Sequence, residues 1–410
     1  MQNKTFIIFN FLIMVMASDF MRFVHFVRPL SKKESGYMSE IDKYLEPMDF
    51  KKIKNLLKNK KIGVSFSSLG ISEKIGNDVS FPQLNLSIED NEIQLFIDKK
   101  NKEIHEKVMR KTFRSFSEKA KDTIKKYIAP NIFGLELAKE AAALQLFATD
   151  PIHILLLGDP GTGKTDILKS ASNLHPIASF GLGSGASKAG LSAAVIGNEV
   201  IKGLLPMANN GICCIDELNL MKKTDYAALY SAMEKGFITY DKANKHFQLD
   251  AKVRVIATSN PKGDRFVGNI IEILKKQIPF DSALLTRFHL VFLIRRPGLE
   301  RFTQITEKIV QDDKLKVNIK DMEFIKDYVD FAEQVDVEFP KELEKQVVEF
   351  STELKKDEKK YLVEISPRIV IGLIRLSKAA ARMELRKTVT KEDIDKAEEI
   401  IKYGLQIKRE

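Results

Sequence analysis

Cysteine is nearly missing from this 410-residue chain: there are two, Cys213 and Cys214, and they are neighbours. On a strand they would point to opposite faces, so a disulfide framework is excluded. A cysteine-based zinc site is excluded too, because it needs more ligands at other spacings. A reducing compartment is the expectation. Long apolar runs are also lacking. The longest candidate, "FIIFNFLIMVM" at residues 6 to 16, is closed by Asp19 and falls well short of the roughly 20 residues a membrane helix needs. No stable membrane association is expected. The run looks like the apolar core of a signal peptide, yet Lys4 is a thin positive flank and no cleavage site follows. The expectation is a reading frame that truly starts at Met16, Met21 or Met38, or else an exposed N-terminal helix. There is no internal repeat and no low-complexity tail.

What is present is soluble, globular composition, 44% hydrophobic and 30% charged, which excludes global disorder. The length allows two or three domains. A formal charge of +10 and a pI near 9.2 bias the chain toward polyanionic partners. Six lysines in "KKIKNLLKNKK" (residues 51 to 61) read as a solvated helix face, with a nucleic-acid contact as the alternative. Alternation in "QLNLSIED" and "EIQLFID" suggests a few strands between residues 62 and 98, and "KKNKEIHEKVMRK" a charged linker or helix.

From about residue 120 apolar runs ("HILLLG", "GICCID", "VRVIATSN", "FHLVFLI") alternate with helical stretches. That is the pattern of a parallel α/β sheet covered on both faces. After "RRPGLERF" four segments with spacing near 3.6 predict helices to the end of the chain.

"LLLGDPGTGKTD" holds a complete G-x-x-x-x-G-K-T loop: Gly158, Asp159, Pro160, Gly161, Thr162, Gly163, Lys164 and Thr165. Behind a strand and ahead of a helix, its backbone N–H groups and the helix dipole can wrap phosphates. Lys164 would reach the β and γ phosphates of ATP, and the Thr165 hydroxyl would coordinate Mg²⁺. "GICCIDE" then places Asp216 and Glu217 at the end of a buried strand. Asp216 would hold Mg²⁺ through its water shell, and Glu217 would polarise the attacking water. "VIATSNP" offers Asn260 to orient that water. "ALLTRF" offers Arg287, a delocalised fork for charge developing on the transferred phosphoryl. "ISPRIV" puts Arg368 at a helix start marked by its proline, where it could face a phosphate.

This order of motifs is similar to that of AAA+ ATPases, whose active sites lie between subunits of a ring. In more detail, "NNGICCIDELNLM", "GLSAAVIGNEV", "FDSALLTRFHLVF" and "ISPRIVIGLIRLSKAAARMEL" resemble the minichromosome maintenance (MCM) replicative helicases, over about residues 120 to 408. "IAPNIFGLELAKEAAALQLF" is similar to the segment before the P-loop in that family, which implies that Ile132, Phe133 and Gly134 line the adenine pocket. The resemblance implies a mixed N-terminal region at 1–119, an α/β AAA+ core at 120–300 and an α-helical lid at 301–410. It also implies ATP and Mg²⁺ as cofactors, DNA as partner and a hexameric ring, with other MCM subunits as further candidates. The chain would act in the cytoplasm on the nucleoid or in the nucleus.

"ITYDKANKHFQL", residues 238 to 249, reads as a β-hairpin around the polar turn Asp241 to Lys245. In MCM proteins such a hairpin points into the ring channel, and the resemblance assigns Lys242, with Lys245 beside it, to the DNA backbone. The departures are specific. The P-loop reads "GTGKT" where the family has G-x-A-K-S, and Asn219 and His289 stand where acids are usual. The stretch "AAVIGNEVIKGLLPMANNG" is short for the family's second channel loop. The N-terminal region is short, without visible zinc ligands, and no winged helix follows the last residue. Two alternatives remain: a remodelling ATPase of the MoxR or magnesium-chelatase type, and a non-helicase accessory subunit of an MCM ring.

Overall fold

The computed structural model describes residues 62–70, 80–88, 106, 109–185, 187–196, 199–242, 245–263, 265–310 and 317–406. The N-terminal apolar run, the lysine-rich segment 51–61 and most of the charged linker lie outside the described residues. The chain divides into two units, Met1–Phe116 and Ser117–Glu410. In the first, β1 (Ile62–Gly70) and β2 (Ser80–Ile88) form an antiparallel pair.

The second unit is built on a five-stranded parallel sheet. Its strands are β3 (Ile154–Gly158), β4 (Ala178–Leu182), β7 (Ile212–Asp216), β10 (Arg254–Ser259) and β11 (Leu290–Ile294), in the spatial order β11-β3-β10-β7-β4. Every residue of β3, β7 and β10 is buried. Their apolar runs lack alternation because helices cover both faces, and Cys213 and Cys214 are accordingly both fully buried. The first strand, β3, sits between the last two. The chain leaves it for β4 at one edge and returns to β11 at the other, so the ends of β3 and β10 form the crevice where open α/β sheets bind ligands.

Helix α1 (Ala120–Tyr127) precedes α2 (Glu136–Leu146), which is buried from Ala138 to Leu146. Helix α3 (Lys164–Leu174) packs across β7, β10 and β4. Between β4 and β7, the short helices α4 (Lys188–Leu191) and α5 (Leu204–Met207) flank a hairpin of β5 (Ala193–Ile196) and β6 (Glu199–Lys202). Helix α6 (Tyr226–Lys235) leads through Gly236, at φ 74°, into β8 (Phe237–Lys242) and β9 (Lys245–Asp250). Glycine is needed there because this left-handed C-terminal position carries a steric penalty for other residues. Helices α7 (Ile271–Gln277) and α8 (Ser282–Leu285) precede β11.

After β11 come α9 (Leu299–Val310) and then, as the periodicity predicts, α10 (Ile319–Glu333), α11 (Glu344–Lys356), α12 (Pro367–Met383) and α13 (Lys391–Leu405). Pro367 is at the first position of α12, where its missing N–H costs nothing. Thr390 and Asp393 close α13 with a reciprocal capping box, and Arg386 grips the same Asp393 carboxylate at 2.8 and 2.7 Å. These helices are tied to the sheet. Gly404 packs on β11, where a Cβ would lie 3.1 Å from the Val291 carbonyl oxygen. Arg382 donates to the Phe147 carbonyl at 2.9 Å and to that of Val335 at 3.0 Å. Buried Arg254 on β10 pairs with Glu333 of α10 at 2.6 Å. Among the described residues no helix is long and apolar enough to cross a membrane.

Candidate active site

The loop after β3 is shaped by two glycines with positive φ, Gly161 at 75° and Gly163 at 81°. A Cβ on Gly158 would sit 2.0 Å from the Ile294 carbonyl oxygen, so no other residue fits between β3 and β11. Asp159 anchors the loop's base. Its carboxylate accepts the N–H groups of Phe266 at 2.7 Å and Arg296 at 3.0 Å, and Thr162 donates to its carbonyl at 2.8 Å. Lys164 opens α3 and donates to the carbonyls of Gly158 at 2.8 Å and Asp159 at 2.6 Å. Burial pushes its ammonium down to about 8, against the opposing pull of the Asp159, Asp216 and Glu217 carboxylates. Ile132 packs on Gly163, where a Cβ would meet it at 2.7 Å, and Gly134, at φ 85°, abuts the Arg301 guanidinium of α9. Lys139 donates to the Ile132 carbonyl. Of the three adenine-pocket candidates, Ile132 therefore touches the P-loop and Gly134 faces α9.

Thr165 and Asp216 meet as the motif spacing requires: the Thr165 hydroxyl lies 3.1 Å from both carboxylate oxygens. Thr258, on β10 beside them, donates to Asp216 Oδ1 and accepts the Glu217 N–H at 2.9 Å. Glu217 follows in the left-handed region, φ 53° and ψ 48°. Asn260 arrives next to this turn, and its N–H is accepted by Asn219 Oδ1 at 3.0 Å. A hard divalent cation fits the pair of oxygens offered by Thr165 and Asp216. Mg²⁺ in particular keeps waters and takes nucleotide oxygens, so it needs few protein ligands. Among the described residues no group of three or more His, Cys, Asp or Glu gathers in metal-binding geometry.

Arg287 and Arg368 lie elsewhere. Arg287 precedes β11, at the edge where β11 and β3 begin: the N–H groups of His289 and Leu290 donate to the His153 carbonyl at 2.9 and 3.2 Å. The P-loop leaves the opposite edge, five residues or about 16 Å along the strand. The two arginines are held together. Arg368 donates to the Arg287 carbonyl at 3.4 Å, and Glu234 of α6 pairs with Arg287 at 3.1 Å and Arg368 at 3.8 Å. The Arg287 guanidinium also stacks over Tyr230, 4.2 Å from the ring centre. His289 is buried beside His153, and its Nδ1 accepts the His153 backbone N–H at 3.0 Å. Burial drives His153 down to about 3 and His289 well below the usual histidine range. Burial thus disfavours the charged form of both rings, and His289 ties this edge together by hydrogen bonds.

The strands of the hairpin are longer than the alternation suggested. Register runs from Phe237↔Asp250 to Lys242↔Lys245, so Lys242 and Lys245 are the closing strand pair and only Ala243 and Asn244, outside the described residues, remain between them. The β5–β6 hairpin was not anticipated; its signal was Gly197-Asn198 between two short apolar stretches. Thr258, Asn219, Glu234 and Tyr230 were likewise missed as site-shaping residues.

The MCM P-loop domain matches residues 107–312, and the MCM AAA-lid domain matches residues 323–405. The chain belongs to the MCM family. Among curated relatives of this MCM chain, the minichromosome maintenance protein MCM of Saccharolobus solfataricus is 31% identical over 309 residues, covering 70% of this chain and 45% of the relative. The DNA replication licensing factor mcm7 of Schizosaccharomyces pombe is 29% identical over 307 residues, 67% of this chain and 40% of the relative. MCM4 of Arabidopsis thaliana is 29% identical over 328 residues, 72% and 38%. The MCM chain thus spans less than half the length of these relatives. Its α/β P-loop core and helical lid region are those of the family.

Proposed function

We propose that this MCM chain is an ATP-hydrolysing subunit of a ring, expected to be hexameric, that acts on DNA inside the cell, on the nucleoid or in the nucleus. The observation that carries the reading is the split between the two halves of the candidate site. Lys164, Thr165, Asp216, Glu217 and Asn260 gather at the outgoing ends of the strands, whereas Arg287 and Arg368 belong to the incoming ends, and β3 between them runs about 16 Å. Arginines so placed serve the nucleotide of another copy, and a head-to-tail contact repeated around an axis closes into a ring.

Within one interface, the P-loop amides and Lys164 bind the phosphates, and Ile132, Phe133 and Gly134 cover the base. Thr165 and Asp216 would hold Mg²⁺, which would supply positive charge against the nucleotide phosphates. Glu217 polarises the attacking water and Asn260 orients it. Arg287 and Arg368 from the adjoining copy stabilise charge on the transferred phosphoryl, which they can do only after leaving Glu234. That exchange reaches α6, and α6 continues directly into the hairpin bearing Lys242 and Lys245. These lysines would grip phosphates of DNA. The basic balance of +10 supports a polyanionic partner.

The test is ATP hydrolysis with and without single-stranded DNA, for the wild type and Lys242→Ala, across a salt series. The reading expects stimulation by DNA that salt abolishes and Lys242→Ala loses while basal hydrolysis persists. Robust hydrolysis indifferent to DNA and to Lys242 would favour a remodelling or accessory ATPase.

A further inference from the structure

The two carboxylates and Asn260 come from neighbouring strand ends, β7 at Asp216 and β10 at Ser259. The strands are in register through Ala257↔Ile215, which brings Thr258, one step on, level with Asp216. Thr258 is 2% exposed, and its hydroxyl is used in both directions. It donates to Asp216 Oδ1 and accepts the Glu217 N–H at 2.9 Å. One side chain therefore grips both members of the pair, the first by its carboxylate and the second by its backbone.

Glu217 needs such a grip. Its φ of 53° is one that residues with a side chain rarely adopt. Its carbonyl accepts the Leu220 N–H at 2.9 Å and presses on Gly183, where a Cβ would come within 2.2 Å of it. Asn219, inside the same turn, reaches back to accept the Asn260 N–H at 3.0 Å. Turn 217–220 and strand end 258–260 are thus stitched by one side chain from each.

We propose that Thr258 is a positioning residue whose hydroxyl fixes the Asp216–Glu217 turn against β10, so that the Glu217 carboxylate and the Asn260 side chain hold one relative placement during hydrolysis. The inference rests on the roles given above to Glu217 and Asn260. A threonine hydroxyl is at once donor and acceptor, and the residue's β-branch suits a buried strand. Valine keeps the shape and removes both bonds; serine keeps both bonds.

The experiment compares the full chain with Thr258→Val and Thr258→Ser in three measurements: steady-state ATP hydrolysis, binding of a fluorescent ADP, and amide hydrogen exchange of the peptide spanning Glu217. Thr258→Val should lower kcat about tenfold or more while KM and the ADP Kd stay within about twofold, the pattern of a lost transition-state placement. Thr258→Ser should remain within about threefold of the wild type. Exchange at Glu217 should quicken in the valine variant and not in the serine variant. The proposal is overturned if valine leaves exchange and kcat unchanged, if serine fails as badly as valine, or if ADP binding collapses together with kcat. If the wild type binds ADP without hydrolysing ATP, and exchange at Glu217 quickens only in Thr258→Val, the proposed function is refuted while the Thr258 clasp stands.

Discussion

If Arg287 serves a neighbour's nucleotide, two inactive variants should repair one another. Lys164→Ala removes the P-loop ammonium and leaves the arginine edge whole; Arg287→Ala does the reverse. The two edges are separated by the full length of β3 and β11, so neither change should disturb the other's site. An arginine finger is worth about 10³ to 10⁵ in rate, so Arg287→Ala alone should sit at least about a thousandfold below the wild type, and Lys164→Ala, which loses the phosphate-binding ammonium, should be inactive as well. In an equal mixture with random assembly, an interface is intact when its P-loop comes from an Arg287→Ala chain and its arginine from a Lys164→Ala chain. The chance is one half of one half, so a ring with independent interfaces should recover about a quarter of wild-type activity. The assay is steady-state hydrolysis against mixing ratio, with a maximum near equal amounts. No chain in the mixture carries both residues. An arginine acting within its own chain therefore predicts that every ratio stays at the floor, and that result would refute the reasoning.

Lys164 should impose a pH dependence on nucleotide binding. Burial lowers the folded-state value to about 8, and bound phosphates favour the charged form, so affinity is fullest below about pH 8. It should weaken by up to about tenfold per unit above that, as read by fluorescent ADP titration at pH 7, 8 and 9; Lys164→Ala should flatten the profile. Gly158→Ala should lower the thermal midpoint, since its Cβ would press on backbone at 2.0 Å, and overpacking costs about 1–3 kcal/mol or more. Glu333→Ala strands the buried Arg254 charge, so chemical denaturation should show a loss of about 3–5 kcal/mol; a change under about 0.5 kcal/mol would contradict the buried-pair argument.

That the candidate residues around the P-loop lie together was legible because their signals are local. A glycine loop between strand and helix, an acid pair ending an apolar run and an asparagine before proline are each read within a few residues. Sheet and lid were legible for the same reason, from uninterrupted apolar runs and from 3.6-residue spacing. What stayed hidden depends on residues far apart in the chain. Thr258 meets the Asp216–Glu217 turn only because β10 lies beside β7, and Glu234 meets Arg287 only because α6 ends near the segment leading into β11. Neither pairing follows from composition or spacing. The placement of Arg287 was hidden for a related reason: the motif names the residue, but only the strand order puts it at the opposite edge from Lys164. The β5–β6 hairpin was missed because strands of four residues barely show alternation.

The most direct test of the split site is the structure of the full chain assembled with Mg²⁺ and a non-hydrolysable ATP analogue. The account predicts a closed ring in which the Arg287 and Arg368 guanidinium groups have left Glu234 and face the γ-phosphate held by Lys164 of the adjoining copy. Nucleotide enclosed by a single chain, or a ring whose arginines stay on Glu234 away from any P-loop, would contradict it.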